Sequence, residues 1–375
     1  MSTTFNQSRI KLFRRCQKAY AFRYDYPELY DHGPKTEMIP VRHKLPLYRG
    51  SWMHALQEAL HYQWAGIESF DFEFGQGKGA IRTTVSNWQQ VHDLLSAEYE
   101  KLFLEEREEL GDLPRECSAL FKAYLRFWDA DQDTYTVATF DGKPAIELIV
   151  EAPLDKFGLK GARFKGKIDL VVTDDEYDGF WIWDAKWEKK IPALDERMMS
   201  PQAPLYVWAL REQYDVDVRG FVFNHGRSKP PAEPQVLQKG TLSVKKNMDT
   251  NQATYLAAIK RLHGKEWKRF LPYYEDKLLE LRGRESTWFD RQRIPVEDTK
   301  ILRAVREYCA SVKNIQTRED RKDYVPRSYF YNCRFGCDYH NLCVAEFAGM
   351  DIDPLVKADY QFTGERYEKE DLLNA

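Results

Sequence analysis

Residues 163–187 read RFKGKIDLVVTDDEYDGFWIWDAKW, and the folding of this stretch decides how the rest of the chain is read. It divides into two β-prone runs, 163–174 and 178–187, rich in Val, Ile and Trp and separated by Asp and Gly turn residues. A third run, KPAIELIVEA at 143–152, precedes them, so the pattern predicts three consecutive strands in an antiparallel meander. The helical stretch DERMMSPQAPLYVWALREQY and a further strand, VRGFVFNH, complete a β-β-β-α-β unit. The expected fold class is α/β, a small central mixed sheet flanked by helices.

The polar residues inside these strands are the informative ones. Asp184 and Lys186 are two apart in WIWDAKW, so they share one face while Trp183 and Ala185 take the other. In GKIDLVV, Asp169 stands between Ile168 and Leu170, which predicts a carboxylate facing away from both apolar neighbours. Pairing of adjacent strands would bring Asp169 and Asp184 within reach of one metal ion. Two carboxylates with water and a substrate phosphate suit Mg²⁺ or Mn²⁺, hard ions that prefer oxygen ligands. Such a site supports phosphodiester hydrolysis, with Lys186 orienting the attacking water or stabilising developing charge. His54 would add a nitrogen ligand and Glu147 a further carboxylate. A D-x-K on a strand also describes a solvated surface pair of little energetic consequence. What favours chemistry is the order: helix with His, strand with Asp, strand with D-x-K, helix with Q-x-x-x-Y.

Outward from the strands the chain reads as mostly helical. Leu12, Phe13, Cys16 and Tyr20 recur at helical spacing over 8–24, with Ser8 as the expected N-cap. After a connection through Pro27, Gly33, Pro34, Pro40 and Pro46, RGSWMHALQEALHYQWA resumes a helical period, with Ser51 as cap and His54 in the first turn. Helices are expected near 82–110 and 115–130, broken at Gly111 and Pro114, and again near 250–282 and 296–314. A charged tail begins at about 364, and its ends should fray.

Six cysteines are too few for a disulfide framework in a chain of 375 residues and are better read by spacing. Cys333, Cys337 and Cys343 form C-x3-C-x5-C around Gly336, a pattern that marks a metal site. A fourth ligand is needed, and Cys16, Cys117, Cys309 and His340 are the candidates. Thiolate ligation alone fits zinc as well as an iron-sulfur cluster. Cys117 and Cys309 also read simply as small buried apolar residues.

RGSWMH, GKIDL, WDAKW and QAPLY resemble the successive motifs of the RecB-like PD-(D/E)xK nucleases, including the CRISPR-associated and bacteriophage exonucleases of that group. The resemblance runs from Ser8 to about Gly349. It implies a restriction-endonuclease-like core, with His54, Asp169 and Asp184 as metal ligands, Lys186 as catalytic lysine, and Gln202 and Tyr206 one helical turn apart near the DNA. It also selects Cys16 as the fourth cysteine ligand and a [4Fe-4S] cluster as cofactor, clasping the two ends of the chain. The segments expected on this basis are an N-terminal helix (1–26), a helical region with the His motif (27–142), the nuclease core (143–248), a second helical region (249–326), the cysteine segment (327–349) and a tail (350–375). The implied activity is cleavage of DNA, exonucleolytic, in recombination, repair or phage replication. A recombinase, helicase or annealing protein would be a natural partner. The competing reading is a catalytically silent, cluster- or zinc-bearing DNA-binding or scaffolding subunit, whose signature would be a broken acid set; here Asp169, Asp184 and Lys186 are all present.

A formal net charge of −3 gives no global attraction to nucleic acid, so DNA binding must come from local basic surface or bound metal. The segment HGRSKPPAEPQVLQKGTLSVKK offers Arg227, Lys229, Lys239, Lys245 and Lys246 on a loop stiffened by three prolines. A solvated loop is the plain alternative, and the Pro- and Lys-rich character resembles phage exonucleases of the group. Tyr20, Phe22, Tyr24 and Tyr26 would stack on unpaired bases, although such spacing also describes packing. No apolar run approaches the roughly eighteen residues of a membrane span, and the N-terminus lacks a secretory core. The expected location is cytoplasmic, in a bacterium or in the host of a phage.

Overall fold

A computed structural model describes residues 3–29, 36–41, 45–75, 80–128, 134–174, 178–321, 325–330 and 333–363. The charged tail from 364, and Gly33 and Pro34 of the first connection, lie outside the described residues. β1 (Thr3–Phe5) is followed by α1 (Gln7–Arg15) and α2 (Gln17–Tyr24). Asn6, rather than Ser8, caps α1, its Oδ1 accepting from the Arg9 N–H at 2.7 Å. The single helix expected over 8–24 is broken at Cys16, which is extended (φ −162°, ψ 115°) between the two helices.

β2 (Glu37–Pro40) leads to α3 (Leu45–Trp64), which begins well before Ser51 and so carries His54 mid-helix rather than in its first turn. A hairpin of β3 (Phe70–Phe74) and β4 (Ile81–Val85) stands where the sequence suggested the start of a helix. The β-branched Ile81, Thr83, Thr84 and Val85 favour the extended form. α4 (Trp88–Glu100), α5 (Leu104–Leu110) and α6 (Leu113–Phe127) follow, the last two parted at Gly111 as the sequence predicts.

β5 (Tyr135–Val137), β6 (Ile146–Pro153), β7 (Ala162–Asp174) and β8 (Phe180–Glu188) come next, and the last three form the expected antiparallel meander. α7 (Gln202–Tyr214) carries the chain over to β9 (Val218–Arg227), which pairs parallel to β8. α8 (Gln252–His263) and α9 (Trp267–Glu280) replace the one helix expected over 250–282, because a 3-10 turn intervenes with Gly264 at φ +54°. β10 (Phe289–Pro295) pairs with β9; its FDRQRIP sequence has no apolar alternation to announce it. α10 (Asp298–Arg321), α11 (His340–Phe347) and β11 (Tyr360–Thr363) close the described chain.

The sheet order is β1-β7-β8-β9-β10, with β5 and β6 also paired to β7. It is a mixed sheet flanked by helices, the α/β restriction-endonuclease-like arrangement expected from the sequence. One face buries Val150, Phe164, Val171, Ile182 and Phe221 against side chains of α1, α7 and α10. The other buries Leu170, Val172, Trp181, Trp183 and Val222 beneath Tyr62 and Trp64 of α3. No described helix is long and apolar enough to cross a membrane.

Candidate active site and cysteine corner

Ile146 pairs with Leu170 and Leu148 with Ile168, so Glu147 lies across from Asp169 between two ladder positions. Glu147 has φ +52°, a left-handed conformation that a non-glycine residue keeps only where its surroundings impose it. Ile146 and Leu170 pack on the α3 side of the sheet, whereas Val150 and Ile168 pack on the α7 side. In a regular strand residues two apart share a face. Ile168 and Leu170 do not, which corrects the simple alternation read from the sequence: both strands change face at Glu147 and Asp169. The β7–β8 ladder ends at the Trp183–Leu170 pair, and just beyond it the Ala185 N–H donates to Asp169 Oδ2 at 2.8 Å. The side chain thus takes the backbone donor that a continued strand would have used.

Asp184 is buried on β8, beside the first residue of α7. Its Oδ1 accepts from Gln202 Nε2 at 2.9 Å, and its Oδ2 lies 2.5 Å from Lys186 Nζ. His54 Nδ1, from α3, stands 3.6 Å from Asp169 Oδ2. Glu147 pairs with Lys167, a cation the sequence reading passed over although it stands two residues before Asp169 and one strand from Glu147. Only 4% of the Asp184 side chain is accessible against 32% for Lys186 and 34% for His54, so the cluster has a closed floor and an open mouth.

Two neighbours hold this arrangement. Tyr206, one turn after Gln202, is buried with its ring 6.1 Å from that of Phe164 and 6.4 Å from that of Phe221. A Cβ on Gly166 would come within 2.7 Å of the Tyr206 ring, so the glycine lets α7 seat on β7. Gln57, one turn after His54, accepts at 2.7 Å from the Trp187 indole N–H, a fully buried bond tying α3 to β8 beside Lys186. Its Gln-to-Trp reach across 130 residues leaves no trace in the sequence pattern.

Burial pushes Glu147, Asp169 and Asp184 above the usual carboxylate range, against the opposing pull of Lys167 on the first and Lys186 on the other two. Burial alone would lower Lys186, but Asp184 and Asp169 outweigh it and hold the ammonium above its ordinary value. His54 is pushed down to about 4, by burial first and then by Lys186, so its imidazole is neutral at neutral pH. Three carboxylates drawn toward one lysine pair form a centre of negative charge with an accessible side.

The five cations of the proline-rich loop are not alike. Arg227 makes two bonds of 2.9 and 2.8 Å to Asp249 and covers the Trp288 ring at 4.5 Å. Lys229, Lys239, Lys245 and Lys246 are exposed. Of the N-terminal aromatics, Tyr20 and Phe22 are fully buried packing residues.

All six cysteines are free thiols. Cys16, Cys337 and Cys343 belong to one apolar cluster with Phe22, Met38, Tyr339 and Leu342. Ser328 touches two sulfurs: its N–H lies 3.5 Å from Cys16 Sγ and its carbonyl 3.8 Å from Cys333 Sγ. Cys117 and Cys309 lie in other clusters, their thiols pushed by burial up to about 12 and about 11. Among the described residues, no three His, Cys, Asp or Glu side chains are grouped as an ion-holding set, either at this corner or at the acidic centre.

No curated protein matches the chain. A family model described as the PD-(D/E)XK nuclease superfamily matches residues 4–344, and by that match over nearly its whole length the chain belongs to the PD-(D/E)XK nuclease superfamily.

Proposed function

We propose that the protein is a Mg²⁺- or Mn²⁺-dependent deoxyribonuclease, an exonuclease of recombination, repair or phage replication, whose core is residues 143–248. The observation that carries this reading is the Asp184 carboxylate, held between Lys186 and Gln202 with Asp169 and His54 alongside. Donor chemistry supports the cation: Asp184 Oδ2 is buried against the Lys186 ammonium at 2.5 Å, and burial disfavours the charge on all three carboxylates. A divalent ion held by Asp169 and Asp184, with His54 or Glu147 completing the set, would neutralise the phosphate and acidify water.

The residues themselves do the rest. Lys186, kept protonated, holds the attacking water or the charge that builds on the phosphate oxygens. Gln202 fixes the rotation of the Asp184 carboxylate. The neutral His54 ring presents a lone pair rather than a competing charge. Exposed Lys229, Lys239, Lys245 and Lys246 would neutralise backbone phosphates, while Arg227 is engaged by Asp249.

End-labelled single- and double-stranded DNA, with ends free or blocked, would be incubated with wild type and Lys186→Ala in Mg²⁺, in Mn²⁺ and in chelator. Metal-dependent loss of label from free ends, abolished by Lys186→Ala, is expected. Equal degradation by both proteins would sink the site assignment, and cleavage of blocked substrates would make the enzyme an endonuclease. Binding without cleavage by wild type would favour the silent scaffold.

For the cysteine corner we propose a [4Fe-4S] cluster on Cys16, Cys333, Cys337 and Cys343, with zinc as the alternative. The cysteine spacing and the shared neighbourhood of Ser328 support it. Protein purified without oxygen should be brown, and Cys343→Ala colourless. Colourless wild type holding stoichiometric zinc would replace iron-sulfur with zinc.

A further inference from the structure

We infer that the outer face of α8 and α9 is a stacking platform for single-stranded DNA, set apart from the acidic centre; the inference rests on DNA being the substrate. On α9, Phe270 and Tyr273 are one turn apart and stay 39% and 57% exposed. His263, at the end of α8, lies flat on Phe270 with ring centres 3.7 Å apart and planes within 8°. His263 thus covers one face of Phe270 and braces the ring, whose exposed part is the remaining face and edge. Beside them Lys239 Nζ is 3.3 Å from the Tyr273 hydroxyl, and Lys260, one turn before His263, lies 4.7 Å over the Trp267 ring.

Charge is concentrated where the rings are. Residues 260–273 carry five cations, Lys260, Arg261, Lys265, Lys268 and Arg269, against the single carboxylate of Glu266, in a chain whose net charge is −3; of the five, Arg261 is engaged by Glu233 through bonds of 3.0 and 2.6 Å. Arg269, one turn before Tyr273, contacts Glu266 at 3.4 Å with both side chains largely in water, a pair that yields readily to a phosphate.

Rings open to solvent with cations on their flanks suit a polymer of flat bases on a phosphate backbone. A duplex hides its base faces in its own stack, so the rings select unpaired strands. The platform is also joined to the acidic centre by chain. The loop bearing Lys239 leaves the sheet where Ser228 N–H donates to the Glu188 carbonyl at 2.8 Å, two residues past Lys186. A strand held on the platform would therefore be fed along this loop toward the open mouth.

The test is fluorescence anisotropy of the full-length protein with labelled oligo(dT) and a duplex of equal length, in chelator so that nothing is cut. Phe270→Ala/Tyr273→Ala is expected to weaken oligo(dT) binding roughly tenfold or more, and duplex binding by less than about twofold. Phe270→Tyr/Tyr273→Phe, which keeps both rings, should bind as wild type does. Oligo(dT) affinity unchanged in the alanine variant, or an equal loss for duplex, overturns the platform. Should the alanine variant fold poorly, bromouracil-substituted oligo(dT) crosslinked to wild type decides: crosslinks must map to α8, α9 or the Lys239 loop, and crosslinks confined elsewhere reject it. None of these readouts requires cleavage, so a failed nuclease assay and a failed platform are separate results.

Discussion

Gln202 donates to one oxygen of a buried carboxylate whose other oxygen faces only an ammonium. If Asp184 holds the proposed metal, Gln202 positions that ligand, and Gln202→Ala should raise the Mg²⁺ concentration needed for half-maximal cleavage and lower the rate by about 10- to 100-fold, the usual cost of removing a partner of a metal ligand. A metal titration of activity checks this; a lower rate with an unchanged metal requirement would assign Gln202 a merely structural role. Gly166 acts by what it lacks. Gly166→Ala drives a Cβ to 2.7 Å from Tyr206, and the shift should cost about 1–3 kcal/mol, read as a lower urea midpoint. Glu147 is the residue whose strain has a visible purpose, since its φ of +52° lies where the paired strands change face opposite Asp169.

α3 reaches the sheet through polar contacts as much as through apolar ones. Gln57→Leu leaves the Trp187 indole N–H buried without an acceptor, and about 1–3 kcal/mol of stability should be lost, measurable by urea unfolding. One turn further on, His61 is 3% exposed with neither ring nitrogen bonded. Burial, then Arg291, pushes it down to about 3. The unfolded chain, with a histidine near 6.5, binds the proton that the folded chain refuses. Stability is therefore undiminished above pH about 6.5 and falls as pH drops toward 3, by at most about 1.4 kcal/mol per unit from this group. His61→Phe should flatten that part of the pH–stability curve, and an unchanged slope between pH 6 and 4 would exonerate His61.

Across the whole molecule, the two ends are joined by side chains independently of any metal. Glu346 of α11 accepts from Lys18 at 3.0 Å and also binds Tyr26 and Arg327, so one carboxylate ties α2 to the C-terminal segment. Glu346→Ala should cost on the order of 2 kcal/mol and lower the melting temperature. If a metal at the cysteines adds to this clasp, Cys343→Ala will lower the melting temperature further in the Glu346→Ala background. If the clasp is protein alone, the double variant will melt as Glu346→Ala does.

The sequence by itself determined the meander, the crossover helix and the shared face of Asp184 and Lys186, because each follows from a two-residue or 3.6-residue period that neighbouring residues impose on one another. It also marked the cysteine trio, whose members are close in the chain. Local signals failed where a distant partner outweighed them. β10 formed because β9 offered an open edge, whereas the Asn6 cap and β4 are themselves local choices, made by a bond to the Arg9 N–H and by a β-branched run. Asp169 was legible as a carboxylate in a strand, but its facing was not: that depends on the break at Glu147 and on the Ala185 N–H left free where two strands part. Lys167, Gln57 and the neighbourhood of Cys16 and Cys333 belong to the same class. These are meetings between residues far apart in the chain, fixed by packing of whole elements, and only the tertiary structure decided them.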